Sequence, residues 1–330
     1  MGKLSLRILE NNARLYAHRS ELPDFLRGAD MLLVLLYHAG FPFGSVITAF
    51  FMPLFFVFTG YMEYKTNKCS KTEFRSYVKN KFIRLMIPYF CFEFVIYLLY
   101  SLYQSVSAGA AVSPAKALYS ILTCINTEAY TGFYGRMWFL PCMFVSSIMT
   151  WLIIRAVIKI KEEADVPLLG CFAVIMFFLS WVTTHVIRVR LPMTIDTACF
   201  GTAFLLSGYV FGGGIDYLLK KDHVLFDVLL SISALLILLG TILSGRGEVQ
   251  MNINRYGEYL DSIVGAFCGI LVFFIVGKWS YEFLVTKKLE LIKSIALWYG
   301  RNSLTTFPVH MLILKGMTLL KINKYILKFH

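Results

Sequence analysis

The chain alternates long apolar runs with short polar stretches, and most of the runs are too long for buried strands or ordinary core helices. Candidate membrane spans fall at 24–41, 44–63, 82–105, 138–158, 167–185, 192–212, 224–244, 259–279 and 303–321. Most hold about 18–22 residues, enough for a helix to cross a hydrocarbon core of roughly 30 Å. A shorter run, 289–300, rises only about 18 Å at ~1.5 Å per residue, so it is either a tenth span or a re-entrant segment. The longest polar connections are 64–81 and 106–137. The pattern predicts an all-α fold: a single transmembrane domain over 1–330, a bundle of about ten helices, with 1–23 as a cytoplasmic N-terminal segment. That segment is polar and basic, and no small-residue cleavage site follows a short apolar core, so no cleavable signal is expected. No internal repeat or low-complexity tract interrupts the pattern.

Charge refines this picture. A net charge of +12 would fit a nucleic-acid partner in a soluble protein. In a chain that is 58% hydrophobic and only 16% charged, with mean hydropathy +0.66, loop charge that sets topology is the better account, and no nucleic acid is expected. With ten spans and an inside N-terminus, 23 of the 32 lysines and arginines fall in inside segments, among them Lys65, Lys68, Lys71, Arg75 and Lys79. Seven fall outside: Lys116, Arg136, Arg188, Arg190, Arg246, Arg255 and Arg301. A multi-pass protein of the cell membrane, surrounded by lipid, with both termini cytoplasmic follows from this bias. Five of the seven cysteines lie in apolar runs, and no CxxC pair or Cys/His cluster occurs, so neither a disulfide framework nor a metal site is expected.

Several polar residues sit where a membrane makes them costly. In "DFLRGADMLLVLLYHAG" (24–40), Arg27 and His38 are eleven residues apart, on one helical face and about 16 Å apart along the axis. Asp24 and Asp30 flank Arg27 at i±3 and could pair with it. The plain account is a snorkelling arginine and a hydrogen-bonded histidine. The sharper one is a functional site, because ionisable groups at membrane depth are candidates by default and histidine is the usual general base near neutral pH. In "KFIRLMIPYF" (81–90), Lys81 and Arg84 share a face by spacing. They read as a positive-inside flank or as an anion site for a phosphate-bearing ligand. Tyr130, Phe133, Tyr134 and Trp138 form an interfacial aromatic belt or a platform for a sugar, with Arg136 beside them. Glu93, Asp196 and Asp261 fall within spans as packing contacts or parts of an internal pathway. For His310 a structural hydrogen bond is at least as good a reading as catalysis.

Taken in order, "D-x-x-R-G" with a histidine eleven residues after the arginine, "FFVFTGY", a basic "KFIRLMIPY", "MWFL" and "GRNSL…H" resemble the membrane acyltransferase type 3 family, over residues 24 to 314. The resemblance implies a bundle of about ten helices that moves an acyl group, often acetyl, from acyl-CoA to a hydroxyl of a glycan or glycolipid, as in polysaccharide O-acetylation. It implies that His38 is the essential histidine and general base, that Arg27 is the arginine of the first helix, and that Lys81 and Arg84 occupy the paired-arginine position and bind the donor. The lysine keeps the charge but loses the bidentate fork. Acyl-CoA, with acetyl-CoA foremost, would be the donor substrate, and no metal is expected. Tyr130, Tyr134, Arg136 and Trp138 would contact the acceptor. Met137 stands where relatives often carry histidine, which argues against a proton-transfer role there. Many relatives append an extracytoplasmic hydrolase-like domain. None is seen here, so the bundle is expected to modify the acceptor itself or pass the group to a separate extracytoplasmic protein.

The rival reading is a proton-coupled transporter or flippase using His38, Glu93, Asp196 and Asp261 as a relay. Transporters of that kind often carry inverted repeats, and none is found. A different membrane O-acyltransferase family also uses a buried histidine; the "RG…H" and "GRNSL…H" blocks argue against it.

Overall fold

A computed structural model describes residues 21–107, 113–124, 137–219 and 223–319. They are almost entirely helical. Helix α1 is Glu21–His38, α2 Gly44–Thr66, α3 Lys68–Lys71 and α4 Phe74–Lys81. A π-helical turn, Phe82–Met86, leads into α5, Ile87–Ser107; then come α6, Pro114–Thr123, α7, Phe139–Lys161, and α8, Val166–Val182. Helix α9 is Ile195–Val210, α10 Gly212–Leu218, α11 Val224–Leu243, α12 Tyr259–Thr286, α13 Glu290–Arg301 and α14 Ser303–Leu319. A two-stranded antiparallel ribbon pairs Val249 with Tyr256 and Gln250 with Arg255.

Among the described residues, six helices are long and apolar enough to cross a membrane, or seven if the pair Pro192–Val210 and Gly212–Leu218, bent by 61°, is one broken span. This is fewer than the ten expected. The first run is helical but carries Glu21, Asp24, Arg27 and Asp30 within 18 residues. Helix α14 has 17 residues and α13 only 12. The polar connections are also less open than their composition suggests: 64–81 contains α3 and α4, and 106–137 contains α6.

Two helices hold the centre. Helix α9 is buried along almost its whole length, and α2 packs along it. The crossing is close because each helix offers a glycine. A Cβ on Gly60 would overlap the carbonyl oxygen of Leu205, and one on Gly208 would overlap that of Val57. In lipid, where tails are as apolar as leucine, such backbone contact is a main source of helix association. At the periphery α11 leaves Leu225, Leu229, Ile232 and Leu236 exposed, as a lipid-facing helix does.

The same device sets the first helix. A Cβ on Gly28 would overlap the Ala296 carbonyl oxygen, and one on Gly300 would overlap that of Asp24. Around this contact Lys293 reaches Glu21 at 3.6 Å and Arg301 reaches Asp24 at 3.5 Å. Helix α13 therefore lies across the start of α1. Its other face, with Leu291, Ile292, Ile295 and Trp298, is exposed. Arg301, assigned to an outside segment by a ten-span count, thus sits at the same end as Arg27, because 289–300 does not carry the chain to the opposite face. Gly28→Ala should force this crossing open and lower stability by about 1–3 kcal/mol. Gly170→Ala, which meets nothing within 4 Å, is the control and should be neutral or slightly stabilising. Melting temperatures in detergent check both.

Candidate functional site

The candidate residues of α1 are placed by one unbroken helix, so the ~16 Å rise from Arg27 to His38 stands. At the lower end, Arg27 Nη1 is 3.8 Å from Asp24 Oδ1, and its guanidinium lies 5.1 Å over the Phe58 ring. Asp24 is buried and shared by two guanidiniums, since Arg301 Nε also reaches it. The Arg27 and Arg301 side chains are 27% and 39% exposed, enough for an anion to reach them. Asp30 does not join this group. It is buried, and its Oδ1 has no hydrogen-bond partner among the described residues. The cluster expected around Arg27 is therefore Asp24–Arg27–Arg301, assembled by tertiary packing and not only by i±3 spacing.

Lys81 and Arg84 flank the start of the π turn Phe82–Met86 and differ in exposure. Lys81 Nζ donates to Ser147 Oγ at 3.1 Å and lies 5.4 Å over the Tyr77 ring. Arg84 is exposed. Glu63, in electrostatic reach of Lys81, accepts a hydrogen bond from the Cys69 amide. Burial, reinforced by Glu63, pushes the Cys69 thiol well above its ordinary range, so it is no ready nucleophile.

At the upper end of α1, the half-buried His38 meets two rings, Tyr37 at 5.0 Å and His310 at 5.3 Å between centroids. His310 is buried, and its Nδ1 lies 3.3 Å from the Thr306 carbonyl oxygen. One turn earlier on α14, Phe307 packs on His310 and, at 5.2 Å, on Phe139. Phe139 in turn meets Phe55 and Phe56 at 5.3 and 5.7 Å. The blocks "FFVFTGY", "MWFL" and "GRNSL…H", far apart in sequence, thus form one aromatic wall next to His38.

The remaining candidates are placed unevenly. Trp138 is buried, with its ring edge-on to Phe139, so it backs the wall and offers no open stacking face. Met137 is fully buried in the same core. Tyr130, Phe133, Tyr134 and Arg136 lie outside the described residues. Asp196 pairs with Arg190 at 2.8 Å, and the half-buried Asp261 lies 3.9 Å from the exposed Arg246. Each acid is matched to its own arginine, which is poor architecture for a shared proton relay and weighs against the transporter reading. Glu93 is fully buried on α5.

Four features were not singled out from sequence: Gly28 and Gly300 as a crossing point, Arg301 as part of the cationic group, and the Phe139–Phe307 contact. The first three lie in the short motifs "RG" and "GRN", whose small residue beside an arginine was the available signal.

Comparison with curated proteins gave no match, and comparison with solved structures gave none. A family model described as an acyltransferase domain matches residues 22–327, nearly the whole chain and all five of the blocks read from the sequence. With its apolar helices long enough to span a bilayer, this chain is an integral-membrane protein that belongs to that acyltransferase family.

Proposed function

We propose that this acyltransferase moves an acyl group, acetyl foremost, from cytoplasmic acyl-CoA to a hydroxyl of a glycan or glycolipid, with His38 as general base and the N-terminus in the cytoplasm. One observation carries the reading. A single helix holds a partly open guanidinium group at one end and, about 16 Å along, a histidine against an apolar wall. Arg27 and Arg301, with the exposed Arg84, would hold the donor's phosphates. The extended pantetheine arm would then run along α1 and bring the thioester to His38. His38 takes the hydroxyl proton as the oxygen attacks the thioester carbonyl. The C–O bond forms, the C–S bond breaks, and the thiolate leaves with the proton from His38. The acceptor would enter from the opposite face, with Tyr130, Tyr134 and Arg136 as the residues proposed to contact it and Trp138 backing the wall.

Purified protein given radiolabelled acetyl-CoA and a panel of glycans should transfer label to an acceptor and release CoA in equal amounts. Labelled donor that binds but never transfers to any hydroxyl would overturn the reading. Arg27→Ala should weaken donor binding about ten- to a hundredfold, the scale of a lost hydrogen bond to a charged group. Arg84→Ala should cost less, and its effect should shrink with added salt because the side chain is exposed. Lys81→Arg keeps the charge and should be tolerated. Unchanged donor affinity in both arginine variants would remove this assignment.

A further inference from the structure

A buried histidine with one ring nitrogen satisfied and the other empty needs an explanation, and His310 is such a residue. It is 5% exposed. Its Nδ1 contact is a carbonyl oxygen, which can only accept, so Nδ1 carries the hydrogen and donates to Thr306. In the neutral ring this makes Nε2 an acceptor. Nε2 has no hydrogen-bond partner among the described residues. An unfilled buried acceptor is costly to keep. Two rings pack on His310 among the described residues: Phe307, which can donate nothing, and His38.

We infer that His310 is a positioning residue for His38: its Nε2 accepts a hydrogen bond from the ring nitrogen of His38 that does not face the acceptor hydroxyl. This rests on His38 being the base. When His38 takes the hydroxyl proton it becomes an imidazolium with two N–H groups. One holds the proton that goes to the departing sulfur. The other can donate to His310 Nε2, a buried acceptor with no partner among the described residues. A third group that orients the base and stabilises its charged form is what a buried carboxylate supplies in a serine-protease triad. Here a neutral imidazole, fixed in one tautomer by Thr306, takes that place. The contact tightens when the acceptor arrives, as catalytic hydrogen bonds often do on leaving the unliganded state. No extra proton enters or leaves: one moves from the hydroxyl to His38 and on to the thiolate.

Three variants of the full-length protein in detergent test this, assayed with acetyl-CoA and an accepting glycan. His310→Phe keeps a ring against Phe307 and removes the acceptor. Its kcat should fall about a hundredfold, within the range of a lost acid–base contribution, with the donor KM within about twofold of the parent. His310→Gln retains an acceptor oxygen and should recover to within about tenfold of the parent. His38→Ala fixes the floor. A folded His310→Phe protein with parental kcat, beside an inactive His38→Ala, overturns the positioning role and leaves the base intact. A folded His310→Gln protein as inactive as His310→Phe also overturns it, because an amide can accept a hydrogen bond but not carry a proton. Parental activity in His38→Ala would remove the base itself, and the positioning role with it.

Discussion

His38→Ala should lower turnover by roughly 10²–10⁴-fold, the usual contribution of a positioned acid–base group, while leaving the fold and donor binding in place. The separation of effects follows from the geometry. Donor anchoring is assigned to Arg27, Arg84 and Arg301, and the nearest of these on α1 is eleven residues away. Removing the imidazole should therefore depress kcat and leave the acetyl-CoA KM nearly unchanged, the signature of an interaction made in the transition state alone. His38 is half-buried at the end of α1, whereas Gly28 sits at a close helix crossing. A melting temperature near that of the parent is the expected companion result. A folded variant with near-parental turnover would end the case for His38 as the base.

How much of this was legible in the sequence depends on the range of the interaction concerned. Periodicity and run length are local, and they placed α2, α7, α11 and the start of α12 within a few residues. The ends were less legible where polar residues stay helical, as in Phe74–Lys81, because composition reports solvation more directly than backbone conformation. The number of spans was overcounted for a related reason: 289–300 is apolar enough to suggest a crossing, but Gly28 and Gly300 let it lie across α1.

The candidate site divides in the same way. The Arg27–His38 spacing is a property of one helix and could be read directly. The pairing of His38 with His310 and of Asp24 with Arg301 joins residues more than 270 positions apart, which no local pattern encodes. The π turn at Phe82–Met86 leaves no reliable mark in the residue pattern.

The second large effect concerns a pair that no motif touches. Lys278 is fully buried on α12, and its ammonium donates to Asp227 Oδ2 on α11 and to the Leu218 carbonyl oxygen at 2.8 Å. Trp279 Nε1 donates to the same carboxylate oxygen at 3.1 Å, and the ammonium lies 4.8 Å from the Trp279 ring centroid. Helix α11 buries little else: Ala234 and Leu238 are its other buried positions. Lys278→Met leaves an uncompensated buried carboxylate and should cost about 3–5 kcal/mol, as should Asp227→Leu, which strands the ammonium. The double variant Lys278→Met/Asp227→Leu removes both charges together and replaces them with apolar groups of similar size. It should recover most of the loss, because a buried pair replaced as a unit is often neutral. The pair would then show a coupling energy approaching the sum of the two single losses. Reversible unfolding in mixed detergent, run on all four proteins, measures it. Additive losses in the double variant would mean that the two residues stabilise the protein independently, and that α11 is held by something other than this ion pair.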